Sequence, residues 1–178
     1  MARMGAVRRI TVVLVCAGAW ACTPESPAPS PPSAPAVETD GTVPCDSVIG
    51  GSATPPADWE VVLDSVALPV GRTLDAAPTG GAGSPRLFAK QGLLVRAGTR
   101  PELRIPADWE TRAWIGWGPA EPANVVTVSA CPPRGSDPWI AFAGGYYVDE
   151  PACVPVVERA GGRETTVRIG VGAACAAA

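Results

Sequence analysis

Apolar and polar residues alternate with a period of two in several parts of this chain. The clearest case is segment 163–171, where three inward candidates alternate with two outward ones: Val167, Ile169 and Val171 against Thr166 and Arg168. Alternation of this kind, with β-branched residues on the apolar side, is typical of a strand with one buried face. The pattern therefore predicts a strand whose valine and isoleucine side chains point into a core.

Similar short segments recur along the chain, and glycine or proline separates them at intervals of about 8 to 12 residues. The segments are 59–68, 86–97, 102–105, 111–118, 124–131, 139–148 and 153–158. A helical period is not sustained over ten residues anywhere. This spacing predicts an all-β fold, an immunoglobulin-like β-sandwich of about seven to nine strands, over residues 45–178. In segment 59–68 we expect Val61 and Leu63 to share one face.

The pentapeptide PADWE occurs twice, as Pro56–Glu60 and as Pro106–Glu110. A proline followed by an acidic residue favours a tight turn or a single helical turn before a strand. We expect Trp59 and Trp109 each to close one end of the core. A duplicated half-domain is the alternative interpretation, although the sequences that flank the two pentapeptides do not match.

The N-terminal residues have the pattern of an export signal. Three arginines precede the mostly apolar stretch Ile10–Cys22: Arg3, Arg8 and Arg9. The apolar stretch is too short to span a bilayer as a stable helix, whereas it suits the middle region of a signal peptide. We therefore expect residues 1–21 to be a signal peptide and the rest of the chain to be exported.

The end of this signal, Ala19-Trp20-Ala21-Cys22, resembles the lipobox of bacterial lipoproteins. In those proteins a small residue precedes a cysteine that is diacylated and becomes the mature N-terminus. The resemblance implies that Cys22 carries the lipid and that the chain lies at the outer face of the cytoplasmic membrane. Ordinary cleavage after Ala21, which also fits a small-x-small site, would instead give a secreted protein.

The number of cysteines bears on this choice. After removal of the signal five remain: Cys22, Cys45, Cys131, Cys153 and Cys175. An odd number leaves a free thiol in an oxidising compartment, whereas a lipid on Cys22 leaves four cysteines that can pair. Because chain termini often lie close together, we expect Cys45–Cys175 to enclose Cys131–Cys153. A Cys45–Cys131 link that joins two sheets is the open alternative.

Residues 22–44 contain seven prolines among serine, alanine and threonine. This composition cannot form a core and favours an extended, disordered segment. We interpret it as a stalk between the lipidated cysteine and the domain. The bias of the chain towards alanine, glycine, proline and arginine is similar to that of high-GC Gram-positive bacteria. The whole chain resembles the small, uncharacterised predicted lipoproteins of actinobacteria, a family that brings no known activity.

Charge and residue types exclude several function classes. Removal of the signal leaves 11 basic residues against 17 acidic ones, so a basic footprint for nucleic acid is absent. The chain has no histidine, which excludes serine–histidine catalysis and histidine metal sites. No cysteine pair has the C-x-x-C spacing, and no glycine-rich segment has a phosphate-loop pattern. We therefore expect no cofactor and no bound metal.

Three acidic pairs remain as candidates for general acid–base chemistry: Asp58 with Glu60, Asp108 with Glu110, and Asp149 with Glu150. Paired carboxylates of this kind serve in glycoside hydrolysis. Acids two residues apart on a strand are more commonly a solvated outer face. A carboxylate-dependent enzyme that acts on wall glycan or peptide is therefore the alternative hypothesis.

Aromatic residues are the remaining candidates for ligand contact. In segment 111–118 strand parity separates Trp117, which lies on the inward side, from Trp114. In segment 139–148 Trp139 has outward parity, and a regular strand would place Tyr147 on the same outward side. An irregularity at Gly144-Gly145 would shift the alternation and place Tyr146 outward instead. Exposed aromatic faces suit the stacking of sugar rings, whereas packing of Trp114 over Ala141 and Ala143 is the alternative.

Together these patterns predict a lipid-anchored, extracytoplasmic β-domain without enzymatic activity. Its function would be binding or scaffolding in the cell envelope, with a wall glycan or an envelope protein as partner. A purely structural surface protein is a third hypothesis.

Overall fold

The computed structural model describes residues 40–80 and 86–176. The described residues all belong to one compact unit. The predicted signal peptide, the lipobox-like segment with Cys22 and most of the proline-rich stalk lie outside the described residues.

The described residues form short β-strands and one 3-10 helix, Cys45–Ser47. The strands are β1 (Asp40–Val43), β2 (Val48–Ser52), β3 (Glu60–Val62), β4 (Val66–Leu68), β5 (Thr73–Leu74), β6 (Ala77–Pro78), β7 (Leu87–Lys90), β8 (Leu93–Arg96), β9 (Glu102–Arg104), β10 (Ala113–Trp117), β11 (Val125–Val128), β12 (Trp139–Phe142), β13 (Gly144–Val148), β14 (Ala152–Ala160) and β15 (Arg163–Val171). The all-β prediction is confirmed. In the described part of the chain the strands number fifteen, because turns divide three of the predicted segments into two and four further strands, β1, β2, β5 and β6, lie outside the predicted segments.

The strands form three sheets. The six-stranded sheet has the order β1-β11-β9-β14-β15-β5, the five-stranded sheet β2-β12-β8-β4-β3, and the four-stranded sheet β10-β13-β7-β6. Two pairs are parallel, β1 with β11 and β5 with β15, and the remaining pairs are antiparallel. Several sheets around a shared core are consistent with a β-sandwich, while the immunoglobulin-like arrangement stays a prediction.

All three sheets contribute to one main cluster of buried side chains. The predicted inward residues of β15 belong to it, since Val167, Ile169 and Val171 are all buried. Thr166 and Arg168 are exposed, as their parity predicted. The nine-residue pairing of β14 with β15 determines which residues of β15 face inward.

The predicted phase of segment 59–68 is wrong. Val62 is buried, whereas Val61 is 41% exposed and Leu63 lies in a turn. The segment is a β3–β4 hairpin, closed by a hydrogen bond from the Ser65 N–H to the Val62 carbonyl. A hairpin reverses the chain at its centre, so one alternation cannot run through all ten residues.

The predicted disulfide pairing is also wrong. The structure has Cys45–Cys131, the alternative considered above, in place of Cys45–Cys175. The parallel pairing of β1 with β11 brings the two cysteines together, because each follows its strand by two or three residues. Strand β1 lies inside the proline-rich segment 22–44, whose composition favours an extended stalk.

The second disulfide is Cys153–Cys175 in place of Cys131–Cys153. Cys153 lies on β14, and β9 separates β14 from β11, the strand that precedes Cys131. Cys153 pairs with Gly170 of β15, and Gly172, directly after β15, forms a β-bridge with Ala152. The Cα atoms of Cys153 and Cys175 are therefore 4.9 Å apart.

Both PADWE segments form the same tight turn, as expected. The Trp59 N–H donates to the Pro56 carbonyl, and the Trp109 N–H donates to the Pro106 carbonyl. Trp109 packs against the main core. Trp59 instead packs against a second, smaller cluster on the five-stranded sheet, which also contains Trp139.

The two disulfides indicate an oxidising, extracytoplasmic environment. Within residues 40–80 and 86–176, no helix has the length and apolar character needed to cross a bilayer.

Candidate functional site

The four-stranded sheet buries one face and leaves the other partly open. Ile115 and Tyr146 lie opposite each other on the buried face, and Ala89 completes their row. Strand residues alternate between faces, so the neighbours of these residues point outward. The outward neighbours are Trp114, Tyr147 and Phe88, and each is half-buried.

These three outward residues form a continuous line across the sheet, which we call the aromatic row. Trp114 pairs directly with Tyr147, and Tyr147 pairs directly with Phe88. The rings of Phe88 and Tyr147 have centroids 4.6 Å apart and an interplanar angle of 32°. The backbone register therefore positions the row, and rearrangement of a single loop would not disperse it.

Two glycines give the aromatic row its shape. A Cβ atom at Gly145 would come within 2.8 Å of the Phe88 ring, so the absent side chain lets that ring lie across β13. Gly116 lies next to Trp114 on the outward parity, and a Cβ there would come within 3.3 Å of the Pro122 Cα atom. The loop containing Pro122 therefore bounds the end of the face beside Trp114.

Polar groups surround the aromatic row. The Arg86 guanidinium lies 3.7 Å from the centroid of the Trp114 ring, a cation–π contact. Burial raises the pKa of the Tyr147 hydroxyl, and the negative charge of Glu121 raises it further. Tyr147 thus stays protonated as a hydrogen-bond donor. The face therefore combines flat apolar rings with two hydrogen-bond donors, the Arg86 guanidinium and the Tyr147 hydroxyl.

Trp139, a predicted ligand residue, is only 3% exposed, which corrects that prediction. It has the expected outward parity, but on the five-stranded sheet, where it packs with Ala67 and Leu94. Trp59 packs against this cluster, and the Arg96 guanidinium lies 4.6 Å from the Trp139 ring. Trp114 and Trp139 therefore do not share a sheet or a surface.

Tyr146, the other alternative, is only 1% exposed and belongs to the main core. Its ring meets the Trp117 ring edge-on, with centroids 5.6 Å apart. Strands β12 and β13 belong to different sheets, so the parity of Trp139 does not continue past Ala143. Of the four predicted ligand residues, Trp114 and Tyr147 lie together on an accessible face.

Phe88 was missed in the sequence. Its signal was the short alternation in β7, where Phe88 is flanked by Leu87 and by the buried Ala89. The pairing of β7 with β13 places Phe88 beside Tyr147. Sequence spacing does not reveal which strands will be neighbours.

The acidic pairs do not gather into one site. Asp58 forms an exposed ion pair with Arg72 at 2.7 Å, and Asp149 and Glu150 are exposed after β13. In the described part of the chain, no three histidine, cysteine or acidic side chains are grouped so as to hold a metal ion.

A buried carboxyl group lies elsewhere, at Glu158 on β14. It is fully buried, and the Ser65 hydroxyl donates a hydrogen bond to its Oε1 atom. Burial raises the pKa of Glu158 to about 7, although the Ser65 hydrogen bond and the charge of Arg163 oppose that shift. The sequence analysis missed this group, although Glu158 has the same strand parity as the buried Val154 and Val156.

The family models, the curated proteins and the solved structures compared with this chain gave no match.

Proposed function

We propose that this chain is an exported, non-enzymatic binding domain of the cell envelope and that the aromatic row contacts a wall glycan. The observation that carries the proposal is the direct cross-strand register of Trp114, Tyr147 and Phe88 on a partly open face. Sugar rings have apolar C–H faces that pack against flat aromatic rings, while their hydroxyl groups need hydrogen-bond partners. Arg86 and Tyr147 supply such partners.

Preorganisation supports the same proposal. The three rings belong to paired strands, so little conformational freedom is lost when a ligand binds. Arg86 covers one face of Trp114. A ligand would therefore meet the ring edge and the guanidinium together, or take the place of the guanidinium on the ring.

We further propose that a lipid on Cys22 anchors the domain at the outer face of the cytoplasmic membrane. The signal-like N-terminus, the lipobox-like Ala19–Cys22 segment and the extracytoplasmic disulfides support this location. The proline-rich residues between Cys22 and β1 would then act as a stalk that lets the domain reach the wall. A secreted protein is the alternative.

The test is titration of the mature chain, with Cys22→Ser to remove the lipid, with soluble wall glycan fragments. Tryptophan fluorescence and calorimetry report binding. We expect Trp114→Ala and Phe88→Ala each to weaken binding about tenfold, since an aromatic contact contributes roughly 1 to 1.5 kcal/mol.

The matched control is Trp59→Ala, which removes a half-buried tryptophan that packs against the five-stranded sheet and should leave glycan affinity unchanged. Equal affinity of the Trp114→Ala variant and the unmodified chain would contradict the role of the aromatic row. Circular dichroism of every variant checks that a loss of binding does not reflect unfolding.

The enzyme hypothesis keeps one supporting observation, the raised pKa of Glu158, because a carboxyl group that titrates near neutrality suits general acid catalysis. Its full burial argues for a structural role instead. Release of new reducing ends from wall glycan, abolished by Glu158→Gln, would favour the enzyme. Absence of both cleavage and binding would favour a structural surface protein.

A further inference from the structure

A groove of about 490 Å³ lies where three turns of the domain meet. One wall is the β3–β4 turn with Asp64 and Ser65, and another is the β8–β9 connection with Arg96 and Arg100. The β14–β15 turn, with Arg163, forms the third. We call this the arginine groove. Its size suits a small ligand.

The charge of the arginine groove is opposite to that of the chain as a whole. Three arginines and a single acid, Asp64, line it. A second recess shares Arg100 with it and adds Arg159 and Glu102. The whole chain has 17 acidic residues and 14 basic ones, so this concentration of arginines is a local feature.

Two of the three arginines are held in place by the protein. Arg163 donates from Nη2 to the Leu63 carbonyl at 2.7 Å, and Arg96 donates from Nε to the Asp64 carbonyl at 2.8 Å. The Arg96 guanidinium also lies over the buried ring of Trp139. A guanidinium has five N–H donors in a rigid fork, so each arginine keeps donors for a ligand.

The turn that accepts these hydrogen bonds has an uncommon backbone. Leu63 has a φ of 46° and Asp64 a φ of 58°, in the left-handed region that side chains other than glycine rarely adopt. Positive φ at both positions belongs to the tight turn of the β3–β4 hairpin. Here the turn presents two carbonyl groups that fix two arginines at the rim of the groove.

Arg100 differs from its two neighbours. It is exposed, and its side chain has no hydrogen bond or ion pair within residues 40–80 and 86–176. The hydroxyl groups of the groove are already engaged, because Ser65 donates to Glu158 and Thr99 donates to the Arg96 carbonyl. Asp64 forms an ion pair with Arg163, with 3.6 Å between Oδ2 and Nη2, and the other polar groups left for a ligand are guanidinium donors.

We propose that the arginine groove binds the phosphate group of a small phosphorylated sugar or a compound of similar size. Three guanidinium groups, two from the β8–β9 connection and one from the β14–β15 turn, match the three terminal oxygens of a phosphate monoester, whereas a carboxylate has only two. The remaining volume accommodates the body of the ligand. This site is separate from the aromatic row and does not depend on the function proposed for that row.

Glu158 accepts the hydrogen bond of the Ser65 hydroxyl, and the charge of Arg163 acts on it. An ionised Glu158 would oppose an anion in the arginine groove. Because burial raises the pKa of Glu158 to about 7, this carboxyl group is mostly neutral at pH 6. The binding experiment is therefore set at pH 6.

The experiment is calorimetric titration of the Cys22→Ser chain with glucose 6-phosphate, glucuronate and glucose. We expect saturable binding of glucose 6-phosphate, weaker binding of glucuronate and none of glucose. Arg100→Ala should weaken glucose 6-phosphate binding about tenfold to a hundredfold, as expected for loss of a charged hydrogen bond. Arg100→Lys should recover only part of that loss, because an ammonium cannot form the fork.

The control variants are Arg72→Ala, which removes an exposed arginine that pairs with Asp58 elsewhere, and Trp114→Ala in the aromatic row. Both should keep the affinity for glucose 6-phosphate. The proposal would be overturned by absence of saturable binding, by an Arg100→Ala affinity equal to that of the parent chain, or by tighter binding of glucuronate. Thermal unfolding of each variant verifies that the domain is intact.

Discussion

Glu158 places a carboxyl group in the core between two sheets. The residue belongs to the six-stranded sheet, and its hydrogen-bond donor, Ser65, belongs to the β3–β4 hairpin of the five-stranded sheet. The Oε2 atom has no hydrogen-bond partner in the described part of the chain. A buried carboxylate without full compensation disfavours its charged form, which is the reason that its pKa is raised.

The raised pKa makes stability depend on pH. The folded state retains the Glu158 proton up to about pH 7, whereas the unfolded chain releases it near pH 4.5. The contribution of Glu158 to stability is therefore fully present below pH 4.5 and is lost as pH rises through 7. The loss amounts to about 3 kcal/mol over that interval, at roughly 1.4 kcal/mol per pKa unit.

We expect Glu158→Gln, which keeps the hydrogen bond and cannot ionise, to remove this dependence and to be the more stable form at pH 8. Urea unfolding of both proteins at pH 4, 6 and 8 measures the effect. A pH slope that is the same in the variant and the parent would show that Glu158 is not its source. Glu164→Gln, an exposed acid on the next strand, is the control.

At the scale of elements, the two disulfides join very different lengths of chain. Cys45–Cys131 spans 86 residues and links the start of the domain to the end of β11. Cys153–Cys175 spans 22 residues and links β14 to the segment after β15. Loop-closure entropy grows with the length of the enclosed chain, so the first link restricts the unfolded state more.

We therefore expect the double variant Cys45→Ser, Cys131→Ser to lose about 4.5 kcal/mol of unfolding free energy. The double variant Cys153→Ser, Cys175→Ser should lose about 3.5 kcal/mol. Guanidinium unfolding of the two variants against the parent gives the comparison. A larger loss from the shorter loop would mean that native contacts around Cys153, and not chain entropy, dominate. Non-reducing peptide mapping checks the pairing itself.

At the scale of the molecule, the domain carries two candidate binding surfaces of different chemistry. The aromatic row lies on the four-stranded sheet and suits an uncharged sugar face. The arginine groove lies at three turns and suits a phosphate. Trp139, a predicted ligand residue, lies next to the arginine groove, because the Arg96 guanidinium packs over its ring.

The proposed anchoring depends on residues outside the described part of the chain. We expect Cys22→Ala to prevent lipidation, and so to release the mature protein into the medium or to leave the precursor uncleaved, since stable anchoring needs the acyl chains. Detergent phase separation and labelling with a radioactive fatty acid measure the outcome. A variant that still partitions into detergent would refute lipidation at Cys22; Cys16→Ala, within the predicted signal, is the control.

Local patterns determined the all-β class, the inward face of β15 and the turns at the two PADWE segments. Each depends on neighbours within a few residues, so the spacing of apolar side chains carries the information. The same holds for Trp114, whose parity within one uninterrupted strand predicted its outward position. The predicted export signal and the lipobox-like segment likewise depend on contiguous sequence.

Tertiary structure decided which strands became neighbours, and much of the candidate chemistry followed from that. Phe88 joined Trp114 because β13 lies between their strands, while Trp139 was buried by Trp59 from a distant turn. The disulfide pairing depended on β1, a strand whose proline-rich surroundings gave no local signal. Pairing between distant strands is set by packing of the whole core, and a short window of sequence does not contain that information.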